Sequence, residues 1–225
     1  MELDEIKSIW SAYDKKLEQS WKLNLSLLRR TNLDKVKSKL RNLVFLHAFT
    51  LAFSILQIIL LMYFVAVHAD ELHFLAAGTT LLVWSFMIAY SAADQLSKIN
   101  EMDYSAPVME IQKKLISIKL SIIKYLRLSI LIIPLYIAHI LFWFELLFDV
   151  DMYLVANQQW WVGQIIFTLV VMVPLTIWLY KKLSPKNVNK SWMKKLISGS
   201  GGKQIGEAFT LLDEIQRFEK NDYSQ

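Results

Sequence analysis

The run from Asn42 to Ala93 leaves few folds open to this chain. No Lys, Arg, Asp or Glu occurs from Asn42 through Ala69, nor from Leu72 through Ala93, and only the short break His68-Ala69-Asp70-Glu71 parts the two stretches. A helix rises about 1.5 Å per residue, so about 20 apolar residues cross the hydrocarbon core of a bilayer. Each stretch is long enough. In lipid every backbone polar group must be satisfied within the segment, which a helix does. A break this short then leaves room only for an antiparallel helical hairpin.

Composition agrees. Of the 225 residues 55% are hydrophobic, above the share expected of a soluble domain. Cysteine is absent, which excludes disulfides, thiolate metal sites and cysteine nucleophiles. The opening of the chain is charged and lacks the early apolar run of a secretory signal, so the first span is expected to insert uncleaved.

Residues 1–41 read as cytoplasmic amphipathic helices. Leu3, Ile6, Trp10, Tyr13 and Leu17 recur in steps of three and four, which sets them on one helical face, and Trp21, Leu25 and Leu28 continue the stripe. Thr31-Asn32-Leu33-Asp34 carries a helix-start signal: Thr or Asn accepts free backbone N–H groups, and Asp suits the positive helix end. A first helix is therefore expected to end near Arg29, followed by a bend and a second helix from Leu33 into the first span. Residues 42–93 form transmembrane hairpin 1. Residues 94–125 combine a polar loop, Asp94 to Ser105, with a helix opened by Pro107, whose Val108, Ile111, Leu115, Ile118, Ile122 and Tyr125 share one face. Residues 126–180 form transmembrane hairpin 2, with spans at roughly Leu126–Phe148 and Trp160–Tyr180 kinked at Pro134 and Pro174. Residues 181–225 hold a basic linker, a flexible joint at Ser198–Gly202 and a final helix with Ile205, Phe209, Leu212, Ile215 and Phe218 on one side.

The charge map sets the orientation. All 25 Lys and Arg fall in Met1–Arg41, Asp94–Arg127 and Lys181–Gln225, whereas the two intervening turns hold Asp70, Glu71, Asp149 and Asp151. Basic residues stay on the cytoplasmic side. The chain is thus expected to be an all-α, four-span protein of the bacterial inner membrane with both termini cytoplasmic. Trp160 and Trp161 at one end of the last span, and Trp178 and Tyr180 at the other, fit interfacial belts.

Few residues carry chemistry. A midplane charge costs about 2.5–3.5 kcal/mol, and none is present, which argues against ion-coupled transport. His139 reads as a neutral interhelical residue and Glu145 as an interfacial carboxylate. His68, Asp70, Glu71 and His73 gather metal-ligand types, which Asp149 and Asp151 would reinforce, but their spacing matches no tight zinc motif. They read first as an acidic exposed turn, so neither a metal nor a cofactor is expected, and no nucleophile–base pair marks an enzyme. The glycines near Lys203 lack the phosphate-loop spacing. Nucleic acid is not expected as a partner, since acids interleave the helical basic charge. The amphipathic segments could lie on the anionic inner leaflet, pack against one another as a small cytoplasmic bundle, or dock a partner; the mixed charges around Trp10 and Tyr13 favour protein packing over lipid adsorption, and Leu3, Ile6, Trp10, Tyr13 and Leu17 stand out as partner-binding anchors. The alternative is an oligomeric channel or transporter subunit with a path lined by Thr50, Ser54, Gln57, Gln164 or Thr168.

The opening Leu3-Asp4-Glu5-Ile6-Lys7, with Trp10, Tyr13-Asp14-Lys15-Lys16-Leu17, Leu23-Asn24 and Leu33-Asp34-Lys35, resembles a group of small bacterial multi-span membrane proteins often encoded beside extracytoplasmic-function sigma factors. The likeness covers the first forty-odd residues and, beyond them, only the layout of spans. It implies a membrane-held regulator, anti-sigma-factor-like, that sequesters a sigma factor through its amino-terminal helices. The common single-span anti-sigma proteins carry a zinc-binding His/Cys motif, from which this cysteine-free chain departs.

Overall fold

In the computed structural model the described residues are 3–184, 187, 190–192, 195 and 202–222, with the side chains of 3–6 and 220–222 outside that description. Every regular element among them is helical. Most of the joint expected at Ser198–Gly202 lies outside the described residues.

The chain opens with one helix, α1 (Leu3–Val67), of 65 residues. Neither Gly nor Pro interrupts it, and at about 1.5 Å per residue it is roughly 100 Å long. The bend expected between Arg29 and Leu33 does not occur. Asn32, 2% exposed, sends its side-chain amide not to the backbone of its own helix but to the Leu211 carbonyl and Glu214 Oε2, both at 3.2 Å. A tertiary contact claims the group that would have capped a new helix.

α2 (Leu72–Asn100) folds back along α1. Its buried Phe74, Ala77, Leu81, Ser85, Ile88, Ala92, Gln95 and Ile99 step by three and four along one face. Here too the structure corrects the sequence, which placed a loop from Asp94. The helix continues to Asn100 because its polar end is bonded: Lys98 Nζ reaches Asp94 Oδ2 at 2.5 Å and Ser121 Oγ at 2.6 Å, while Gln95 donates to the Ser91 carbonyl. The true loop begins at Glu101 and includes a turn in which Ser105 donates twice to Asp103 Oδ1.

Where α1 and α2 cross, Gly78 permits the contact. A Cβ there would stand 2.5 Å from Val65 Cγ2 and 3.2 Å from Phe64 Cδ1. Gly78→Leu is expected to force the pair apart at about 1–3 kcal/mol, read as a lower unfolding temperature in detergent, with Gly78→Ala closer to the native value.

Pro107 precedes α3 (Val108–Ile130), as the sequence indicated. Val108, Ile111, Leu115, Ile118 and Ile122 are all buried. The apolar run from Leu126 to Phe148 is not one helix, however. α3 stops at Ile130, four residues before Pro134, whose ring would meet the Ile130 carbonyl in a continued helix. Tight turns replace it (Leu131 N–H to Leu128, Ile132 to Ser129, Ile133 to Ile130) before α4 (Tyr136–Phe148) begins. A short helix α5 (Met152–Val155) leads to α6 (Gln158–Phe167), a π-helical turn (Thr168–Met172) and α7 (Val173–Lys182). The π turn sits just before Pro174 and widens the backbone by one residue, so that the Val173 N–H reaches back to the Thr168 carbonyl.

α8 (Lys203–Asp222) returns to lie on α1 and α3. Two apolar cores result. At the bundle end, Val36, Leu40 and Leu43 of α1 meet Ile99 of α2, Ile111 to Ile123 of α3, and Ile205, Ala208, Leu212 and Ile215 of α8. At the turn end, Leu61 and Phe64 of α1 meet Phe74, Ala77 and Leu81 of α2 and Leu141 and Phe142 of α4. Between and around them the surface is apolar. α1 between Lys7 and Val67, α2, and the run Gln158–Lys182 are each long and apolar enough to cross a membrane, and α4 is a shorter apolar helix.

Lys39 and Glu207 join α1 to α8 at 2.6 Å, a hydrogen-bonded pair that holds the Glu207 carboxyl below its ordinary range. Its contribution is present above the unfolded carboxylate pKa and lost as pH falls through the lowered one. Both side chains are well exposed, so the effect is small. Slight loosening of α8 on acidification, absent in Glu207→Gln, is the expected hydrogen-exchange result.

Candidate functional site

The buried face of α1 does not end where its partners end. Asn32, Val36, Leu40, Leu43 and His47 are buried, and Trp21, Leu25 and Leu28 are half-buried ahead of them. Trp21 stacks on Phe218, near the end of α8, at 6.0 Å between ring centres. α1 extends amino-terminal of that stack to Leu3. Trp10, Tyr13 and Leu17 occupy the same face yet are 67%, 72% and 71% exposed. Leu3 and Ile6 extend the row on the same helix, their side chains outside the described residues.

This overhang, residues 3–20, is about 27 Å of helix. It is rigidly continuous with the bundle and with the apolar length of α1. On its flank Lys22 pairs with Glu18 at 2.5 Å, the i,i+4 arrangement that supports an exposed helix, and this holds the Glu18 carboxyl below its usual range. Arg29 ties the base of the overhang to the α2–α3 loop through the Ala106 carbonyl at 3.2 Å.

At the turn end a second group of side chains converges. Of the turn residues noted from the sequence, Glu71 and His73 come together with Asp151, one ligand atom from each lying within 4.8 Å of the others. His73 Nε2 is 3.1 Å from Asp151 Oδ2 and 3.7 Å from Glu71 Oε2. His68 joins them from behind, with Nδ1 3.5 Å from Glu71 Oε1 and Nε2 3.9 Å from Glu145 Oε1. Asp70 is exposed and stands outside the group. The role of Glu145 was not legible: its side chain is only 12% exposed, and its Oε2 is buried without a hydrogen-bond partner.

Four of the five polar residues proposed to line a path have hydrogen-bond partners within the protein. Thr50, Ser54 and Thr168 each donate to the carbonyl four residues back, and Gln164 Oε1 accepts from Tyr136. His139 takes up the Leu135 carbonyl at 3.1 Å and stands edge-on to Trp84.

No family model, curated protein or solved structure matches the chain. The overhang and the turn-end cluster therefore have to be read from their own chemistry.

Proposed function

We propose that this is a non-enzymatic regulator or scaffold of the bacterial inner membrane, with four spans in two antiparallel hairpins and both termini cytoplasmic. It holds a cytoplasmic protein partner on the amino-terminal overhang of α1. One observation carries the reading: Trp10, Tyr13 and Leu17 stay exposed on the face of α1 that is buried from Asn32 onward. An aromatic-rich stripe at helical spacing is what a helix offers a protein groove. The charge map supports the orientation, since every Lys and Arg falls in the sequence segments 1–41, 94–127 and 181–225 and none in the two turns between the spans. α4 and the end of α3 together make the third span, bent at Pro134. A sigma factor is the partner that the resemblance of the opening residues implies.

Trp10→Ala, Tyr13→Ala and Leu17→Ala combined are expected to cost more than about 2 kcal/mol of partner binding, or at least roughly 30-fold. The measurement is co-purification of the bound cytoplasmic protein with the full-length, tagged chain from its native membrane, with the sigma factor probed first. The side chains are exposed, so the bundle is expected to keep its unfolding temperature. Undiminished co-purification from the triple variant contradicts the reading.

A further inference from the structure

The turn-end cluster gathers three metal-ligand side chains whose donor atoms lie within 4.8 Å of one another. We infer that Glu71, His73 and Asp151 bind a divalent transition cation of the zinc class, with His68 and Glu145 behind them.

Three observations carry this. The first is spacing. Ligands about 2.1 Å from a tetrahedral ion stand about 3.4 Å from one another; the His73–Asp151 pair, hydrogen-bonded at 3.1 Å, and the His73–Glu71 pair at 3.7 Å lie near that value, and all three donor atoms fall within 4.8 Å of one another. The second is preorganisation. Asp151 Oδ1 caps α5 by accepting the Tyr153 N–H at 2.8 Å, which leaves Oδ2 directed at His73. The imidazole is itself held between the Tyr153 ring, stacked at 4.6 Å, and Phe74 at 4.2 Å. The third is the surroundings. Glu145 presents a buried, unpartnered carboxylate oxygen beside His68, whose other ring nitrogen faces Glu71.

Donor type chooses the ion. One imidazole and two carboxylates suit zinc, cobalt or nickel, whereas calcium and magnesium prefer all-oxygen cages. The ligands come from two segments far apart in sequence, the α1–α2 turn and the α4–α5 connection. A bound ion therefore clamps those elements together. In the topology proposed above, on which this further point rests, the site faces the periplasm, and uninterrupted α1 joins it to the cytoplasmic overhang.

The test is a zinc titration of the purified full-length protein in detergent, by calorimetry and by competition with a fluorescent chelator. One zinc per chain is expected, with affinity at least ~10-fold lower in His73→Gln and in Asp151→Asn and unchanged in Asp70→Asn. Asp151→Asn keeps an oxygen to cap α5, and unaltered unfolding temperatures without metal establish that the variants fold. Cobalt bound in place of zinc should show visible absorption bands that both variants lose. Equal zinc affinity in native, His73→Gln and Asp151→Asn proteins, or no uptake below millimolar zinc, overturns the inference. The titration contains no partner and co-purification can be run in chelator, so either proposal can fail without the other.

Discussion

Leu115→Asp is expected to release α8 and open the bundle end while leaving the turn end intact. Leu115 is fully buried at the centre of a core fed by α1, α2, α3 and α8. A carboxylate there enters a cluster built from Val36, Leu40, Ile111, Ile118, Leu212 and other apolar side chains. Loss of the leucine contacts and burial of an unpaired charge together should exceed about 4 kcal/mol. The two cores share no residue, so the damage should stay local. Hydrogen exchange should then show α8 and the stretch 29–43 of α1 losing protection, with 61–81 unchanged and zinc uptake retained. Full protection of α8 in the variant contradicts a bundle centred on this residue.

Phe142→Ala should act at the opposite end. Its ring is fully buried, edge-on to Phe64 at 5.1 Å and to Trp143 at 4.9 Å, and with Leu141 it is one of the two buried α4 side chains in the core shared with α1 and α2. Truncation removes that contact and leaves a cavity, at about 3–5 kcal/mol. Because Asp151 follows α4 while Glu71 and His73 belong to the α1–α2 pair, the same change should also weaken zinc binding. Faster amide exchange in 136–148, without change in α8, is the expected signature. An unaltered unfolding temperature together with unaltered zinc affinity would show that α4 is not held by this ring.

Much of the architecture was legible because hydrophobic periodicity survives in the fold. The stripes of α3 and α8 appear as buried faces, and Pro107 opens α3 where its missing N–H costs nothing. Two of the misreadings share one cause. At Asn32 and at Asp94–Lys98 the local signals for a helix end are real, but those side chains are bound to Leu211, Glu214 and Ser121, which lie far along the chain. Local propensity yields to tertiary contact at such positions. The break after Ile130 could have been found from Pro134 alone, by placing the helix end four residues upstream. Glu145 could not, because the histidine it approaches lies on a different pair of helices. As for the overhang, the spacing of Trp10, Tyr13 and Leu17 defined a face, but that these three side chains stay exposed on it is a matter of tertiary packing, which spacing does not carry.

The orientation in the membrane underlies the partner proposal and the periplasmic placing of the metal site, and the absence of cysteine makes it directly measurable. Asp70→Cys and Thr210→Cys place single thiols at exposed positions of the turn end and of α8. A membrane-impermeant maleimide applied to intact cells with a permeabilised outer membrane should label Asp70→Cys at once. Thr210→Cys should react only after the inner membrane is opened. Immediate labelling at position 210 with protection at position 70 would invert the map and remove the cytoplasmic role of the overhang.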